Sequence, residues 1–356
     1  MRVAVVGLGW VAREVWLPRL VKHPDFEVVA VVDPRPEAVE RVGALVAGAR
    51  VYGGHEELGR GEADLVFVLT PNHTHGALAG HFLRQGLAVF LEKPTGTDFA
   101  HLRHLEEAAR DGGGRLLLST AARHRADVGE LARLVADGAL GTPRLAELSW
   151  VRSRGIPGSD WFARRETAGG GVLVDLGWHV IDALHHLWGA SGVRHATALP
   201  GSDFLTRDGW GADWHAGAAT LDTADVEDQL TALVATERYG MYLRFAWASH
   251  ETVDRTRLVL HGTAGTAELT TTFGFSPRRV PEATLTLRQE GTERRVPLPQ
   301  AGVGDEYDLQ LDALPAELAR TDATGRALRE AREALAVVEA CYRATSADWT
   351  APETNS

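Results

Sequence analysis

Lys93, Asp175 and His179 are the residues of this chain whose types and settings suit proton transfer. Lys93 lies in AVFLEKPTGTDFA, residues 88–100, and is one of two lysines, with Lys22, among 37 lysines and arginines. An ammonium is a compact charge that can shift its pKa and hand over a proton, whereas a guanidinium stays protonated. A lysine kept in so arginine-rich a chain is a candidate for chemistry that arginine does not supply; the plain alternative is a solvated surface lysine. Asp175 and His179 stand four apart in TAGGGVLVDLGWHVIDALHHLWG, residues 167–189, so a helix places them on one face. A carboxylate beside an imidazole orients it and supports its charged form, as in an acid–base pair. The same spacing could chelate a metal, but a metal site needs further ligands and none is evident, so no metal is expected. His73, His75 and His81 read as ordinary polar residues of a loop and helix, and His185 and His186 as hydrogen-bonded groups of an amphipathic one.

The elements that must position these groups are legible around them. RVAVVGLGWVA is a short apolar strand, Val3 to Val6, running into Gly7, Leu8, Gly9, Trp10, Val11 and Ala12, the pattern G-x-G-x-x-A. The first glycine serves the tight turn, the second lets a pyrophosphate approach the backbone, and the small third residue lets helix and strand pack closely. The helix that follows offers its free N–H groups to the phosphates. A second strand, FEVVAVVD, ends in Asp33, 21 residues after Ala12, where a carboxylate accepts the ribose hydroxyls of NAD. NAD is therefore the expected cofactor, while Arg35 leaves NADP open. The β/α alternation continues through ADLVFVLTPNHTHGALAGHFLRQG and LAVFLEKPTGTDFAHLRHLEEAARDGG to RLLLSTAAR. In an open parallel sheet ligands bind at the carboxyl ends of strands, which is where Thr70-Pro71-Asn72 and Glu92-Lys93-Pro94 fall. Pro94 biases Lys93 toward an extended backbone.

From about residue 121 the pattern changes. After a helix in ADVGELARLVADGAL come the strand-like runs PRLAELSWVRSR, DQLTALVATE, GMYLRFAWAS, RLVLHG, GTAELTTT and EATLTLRQ, which predict a largely antiparallel sheet with a hairpin at Thr263-Ala264-Gly265. A last amphipathic helix spans about 326–345. The expected organisation is α/β: a Rossmann doubly wound parallel sheet over 1–121, a substrate-binding and oligomerisation domain with an open, mostly antiparallel sheet over 122–345, and a flexible tail over 346–356.

The 356 residues suit two domains, and no apolar run is long enough to span a bilayer. The chain opens directly on a strand pattern, so the cytoplasm is the expected location. Cys341 is the only cysteine and lies in an apolar helical run, which makes it a packing residue. A formal net charge of −11 speaks against nucleic acid as a partner. Trp10 and Trp161 are candidates for an apolar wall of the cleft. The arginine-rich RSRGIPGSDWFARR, residues 152–165, suits either a phosphate-bearing ligand or a solvated loop.

GLGWVA at 7–12, EKP at 92–94 and GGGVLVDLGWHVID at 169–182 together resemble the glucose-fructose oxidoreductase / inositol dehydrogenase / rhizopine catabolism (Gfo/Idh/MocA) family, in order and along nearly the whole chain. The resemblance implies oxidation or reduction of a secondary hydroxyl on a sugar, cyclitol, amino sugar or nucleotide sugar with NAD(P), and pairing of copies through the C-terminal sheet. It implies that Lys93, Asp175 and His179 are catalytic, that Thr70, Asn72, His75 and Glu92 border the cofactor, and that Arg123 lies on the substrate side. His179 would take the hydroxyl proton while Lys93 stabilises the alkoxide, or the two would exchange these duties. Two other readings stay open: an NAD-dependent glycoside hydrolase that oxidises its sugar transiently, and an NAD-sensing regulator without catalysis.

Overall fold

Strand β1 (Arg2–Val6) is buried on both faces for most of its length, as a central parallel strand must be. The computed structural model, which describes residues 1–214 and 224–345, builds a six-stranded sheet outward from it. With β2 (Glu27–Val32), β3 (Arg50–Tyr52), β4 (Leu65–Val68), β5 (Ala88–Leu91) and β6 (Leu116–Leu118) the order is β3-β2-β1-β4-β5-β6, every pair parallel. This is the doubly wound order whose reversal beside β1 opens a ligand crevice at the strand carboxyl ends. Helices α1 (Leu17–Lys22), α2 (Pro36–Val42), α3 (Asn72–Arg84) and α4 (Phe99–Gly112) connect the strands.

The second sheet holds eight strands: β7 (Pro143–Val151), β8 (Val193–Gly201), β9 (Gln229–Thr236), β10 (Gly240–Ala246), β11 (Arg255–Gly262), β12 (Thr266–Thr271), β13 (Thr284–Gln289) and β14 (Thr292–Val296). Their order is β14-β13-β12-β11-β7-β10-β9-β8, antiparallel except for the parallel pair β7 and β10. Alternation decides the faces: in β7 the side chains of Ala146, Leu148 and Trp150 are buried while Leu145, Glu147 and Ser149 between them are half-buried. The buried face lies under α5 (Ala126–Ala136) and α7 (Trp178–Trp188), with the short α6 (Arg165–Ala168) leading into the latter. Leu199 on β8 and Leu233 on β9 are exposed.

Strands β3, β8 and β14 were not foreseen, nor were helices α2 and α6 and one long helix near the end of the chain. β8 carries His195 and Pro200, and β14 is exposed at four of its five residues, so neither shows an apolar run. Helix α8 (Asp305–Ala319) is rich in acidic residues and contains Pro315, which hides its period; α9 (Ala323–Ala344) follows it.

The chain divides into two compact units, Met1–Ser119 with Tyr307–Arg332, and Thr120–Glu306 with the chain from Glu333 onward. Tyr307–Arg332, read from sequence as part of a continuous second domain, instead packs on the first sheet. The edge of Tyr307 meets the Trp16 ring at 5.3 Å, Gln310 donates to the Leu118 carbonyl at 2.9 Å, and His23 pairs with Asp312 at 3.0 Å. Residues 346–356, expected as a flexible tail, lie outside the described residues. Among the described residues no helix is long and apolar enough to cross a membrane.

Candidate active site

In the first unit the glycine turn is shaped by close approach. Gly7 has φ 90°, and a Cβ there would stand 2.6 Å from Thr70 Cγ2 and 2.9 Å from the Leu69 carbonyl oxygen, so only glycine fits. At Gly9 a Cβ would meet nothing within 4 Å. The second glycine thus borders open room, which is what a pyrophosphate laid against the backbone requires. The chain then winds through a π-helical segment, Val11–Trp16, before α1; Ala12 is buried, as a small residue between helix and strand should be. The residues present fit a dinucleotide: Gly9, Trp10 and Val11 would hold the pyrophosphate with backbone groups.

Asp33, one residue beyond β2, accepts from Leu8 N at 2.9 Å through Oδ2 and from Arg35 N at 3.0 Å through Oδ1. Arg35 also lays its guanidinium on it, with Nε 3.0 Å from Oδ1 and Nη2 3.1 Å from Oδ2. Burial opposes ionisation, but the hydrogen bonds from Arg35 and Leu8 outweigh it and hold the carboxyl below its ordinary pKa. Sequence reading treated Asp33 and Arg35 as rival determinants of NAD or NADP; the structure joins them as an ion pair.

The ends of β4 and β5 are tied together by His75. Its Nδ1 lies 2.6 Å from the Pro94 carbonyl oxygen and its Nε2 2.7 Å from that of Thr70. Burial pushes this imidazole down to about 4, while the two carbonyls favour its charged form and the charge of Lys93 opposes it. A neutral ring donates to one of the two carbonyls. Thr70 Oγ1 also meets Thr74 Oγ1 at 2.6 Å, and Asn72 opens α3 as a buried residue. Glu92 is buried, accepts Trp16 Nε1 at 2.7 Å, and receives the Lys93 backbone N–H at 3.1 Å. Lys93 precedes a cis peptide to Pro94. Its backbone is therefore held from both sides, by Glu92 on its N–H and by His75 on the next carbonyl.

In the second unit the helix that carries Asp175 and His179 begins against a buried carboxylate. Glu227 accepts Gly171 N and Leu173 N, each at 3.1 Å, and the Tyr342 hydroxyl at 2.8 Å. A Cβ at Gly171 would sit inside the Glu227 carbonyl oxygen, which explains the glycine run. Asp175 lies in a π-helical segment, Leu173–Gly177, and His179 in the α-helix that follows. The uniform α-helical spacing read from the sequence is thus widened by one residue at Asp175, a distortion frequent at functional sites. Both side chains are half-buried. Trp247 donates its indole N–H to Asp175 Oδ2 at 2.9 Å, and the Trp150 ring lies 6.0 Å from that of His179. Sequence reading named neither role; both tryptophans sit in sheet runs, where core packing is the ordinary use of the residue.

Arg123 and Trp161, also expected at the site, have close side-chain partners of their own. Arg123 forks onto Asp182 of α7, Nε to Oδ2 at 2.7 Å and Nη2 to Oδ1, with both side chains 6% exposed. Its charge is met by Asp182, one turn beyond His179. Trp161 is half-buried and stacks on Phe162 at 3.9 Å. Within 152–165, Arg152 is buried between Trp150 and Trp214, 4.9 and 5.0 Å from their rings, whereas Arg154, Arg164 and Arg165 are exposed. The segment is therefore part core and part surface.

Residues 1–120 match the family described as "Oxidoreductase family, NAD-binding Rossmann fold", and residues 128–268 match the "GFO/IDH/MocA C-terminal domain". The chain is 43% identical over 344 residues to a protein of Amycolatopsis mediterranei (strain S699) provisionally named UDP-kanosamine synthase oxidoreductase subunit, covering 96% of this chain and 95% of that one. It is 28% identical over 244 residues to the D-glucoside 3-dehydrogenase of Escherichia coli (strain K12), covering 68% of each. The crystal structure of the WlbA dehydrogenase from Bordetella pertussis in complex with NADH and UDP-GlcNAcA superposes with a TM-score of 0.74 at 20% identity, over 99% of this chain and 98% of that one. The glycine turn with its open second position, the two sheets and these matches lead to one conclusion: the chain belongs to the Gfo/Idh/MocA family of oxidoreductases with an NAD-binding Rossmann fold.

Proposed function

We propose that this protein transfers hydride between NAD(P) and a secondary alcohol of a nucleotide-linked hexose, with position 3 of the sugar as the reacting carbon. The observation that carries the substrate class is the 43% identity, nearly end to end, to the protein named for UDP-kanosamine synthesis. The glucoside relative, whose name specifies a 3-dehydrogenase, supports the position. When bound, the oxidised nicotinamide supplies the hydride acceptor. Asp33 would hold the adenosine ribose hydroxyls. His179 takes the hydroxyl proton, and Asp175 supports the resulting imidazolium. Lys93 stabilises the developing alkoxide by hydrogen bond and charge, a role for which its backbone is held by Glu92 and His75. Arg154, exposed and 5.9 Å over the Trp210 ring, is available to the diphosphate. Two copies pair through the outer face of the eight-stranded sheet, a reading supported by the exposed Leu199 and Leu233.

The test follows reduced-nicotinamide absorbance with NAD or NADP and UDP-glucose, dTDP-glucose, methyl glucoside, free glucose or myo-inositol. A UDP- or dTDP-linked sugar should give the highest kcat/KM, and Lys93→Met or His179→Ala should lower turnover about 10²–10⁴-fold, the usual worth of acid–base assistance. A clear preference for inositol or a free sugar would overturn the substrate class. Glycoside cleavage without net NADH would replace the dehydrogenase by the hydrolase.

A further inference from the structure

The helix bearing Asp175 and His179 meets two tryptophans of the sheet beneath it. Trp150 is the eighth residue of β7, and its parallel partner on β10 is Phe245, two residues before Trp247. Trp150 touches His179 ring to ring, and Trp247, which is 0% exposed, directs its one polar atom at Asp175 Oδ2. The Trp247 backbone is fixed as well, its N–H donating to the Asp228 carbonyl at 2.8 Å. An indole is a donor only, so this bond lasts only while Asp175 turns an oxygen toward it. The ring has two side-chain torsions and is packed on every side, so it holds a direction that a flexible donor would not. A hydrogen bond to a carboxylate is stronger than one between neutral groups.

We propose that Trp247 is a positioning residue, whose indole N–H fixes the Asp175 carboxylate during proton transfer while never touching the substrate. The inference rests on the reading above that Asp175 serves the reaction, and the experiment separates the two. Trp247→Phe keeps a buried aromatic ring and deletes the donor; Asp175→Asn alters the acceptor; the double variant completes the cycle. With NAD and UDP-glucose, Trp247→Phe should lower kcat about tenfold or more, the range of hydrogen bonds to charged groups, and move KM less than about twofold. In the Asp175→Asn background the same change should cost clearly less, about two- to threefold, because the amide oxygen still accepts the indole N–H but without the charge. Without turnover, the indole N–H resonance of Trp247, identified by its loss in Trp247→Phe, should move in Asp175→Asn while those of distant tryptophans stay.

If Asp175→Asn is crippled but Trp247→Phe turns over like wild type, the positioning role falls and the Asp175 assignment stands. An equal loss from Trp247→Phe in both backgrounds also overturns it, since that is what general damage to packing gives. Wild-type turnover in Asp175→Asn overturns the assignment of Asp175 and this inference together. Should Trp247→Phe fail to fold, benzothienylalanine at 247, with sulfur in place of the N–H, gives the same cycle in the same shape.

Discussion

Glu227 and Tyr342, 115 residues apart, meet through a 2.8 Å hydrogen bond from the phenol to the carboxylate. Because the same carboxylate takes the backbone N–H groups of Gly171 and Leu173, the last helix is tied through it to the start of the helix bearing Asp175. Burial raises the Glu227 pKa against the pull of those donors. A buried acceptor serving three donors is costly to disturb, since each unpaired group bears its own desolvation penalty.

Glu227→Gln leaves one acceptor oxygen and sets an NH2 against donors. It should lower unfolding free energy by about 1–3 kcal/mol, and Tyr342→Phe by about 1 kcal/mol, read from urea denaturation. A Glu227→Gln variant as stable as wild type would show that the carboxylate does not anchor the helix start.

Asp228 gives the stability a pH dependence. Burial pushes its carboxyl up from 3.8 to about 6, against hydrogen bonds from Phe204 N and Leu205 N at 2.6 and 3.1 Å. The folded chain therefore keeps this proton over a range where the unfolded chain has released it. The group's stabilising contribution is full below about pH 4 and is lost as pH rises through about 6, on the order of 3 kcal/mol in all. Asp228→Asn should remove that slope: relative to wild type it should gain stability between pH 4 and 7. Parallel melting curves for the two proteins across this range would expose the error.

Cofactor choice should follow the Asp33–Arg35 pair. The carboxyl is held below its ordinary pKa, so it is charged at neutral pH and repels a 2′-phosphate. Asp33→Ala should weaken NAD about tenfold and raise the NADP to NAD affinity ratio, because ribose hydrogen bonds to a charged acceptor are lost while the repulsion goes. Arg35→Ala should weaken NADP more than NAD. Titrating intrinsic fluorescence with each cofactor gives both ratios; an unchanged ratio in Asp33→Ala would remove Asp33 from the selection.

Lys93→Arg tests charge against shape. The residue's backbone is held by Glu92 on its N–H and by His75 on the Pro94 carbonyl, so it has little room to retreat before a larger head. Turnover should fall about 10²-fold or more with NAD affinity unchanged, since a guanidinium keeps the charge but not the compact geometry. Wild-type kcat in Lys93→Arg would mean that charge alone suffices.

The Rossmann half was legible because each local signal agrees with the others: a buried strand, a glycine turn, a helix and an acidic residue at the next strand end. In the second sheet the strands with apolar alternation were legible and the rim strands were not, since β14 presents Thr292, Glu293, Arg294 and Arg295 to solvent. Partners far apart in the chain were hidden for a different reason. Asp175 with Trp247, Glu227 with Tyr342 and Arg123 with Asp182 are joined by folding, and no spacing rule connects residues on separate elements. Arg123 shows the cost: the family resemblance implied a substrate-side residue, and only the fold reveals Asp182 opposite it.

The return of Tyr307–Arg332 to the first sheet also bears on synthesis and on recombination. A ribosome delivers the six parallel strands early and the helix whose Tyr307 packs on Trp16 only near the end, so until then the Trp16 ring lacks that cover. A chimaera cut at residue 119 inherits the same defect permanently. To transplant the dinucleotide-binding unit intact, three crossovers are needed, after residues 119, 306 and 332, and the late segment must travel with the strands it packs on.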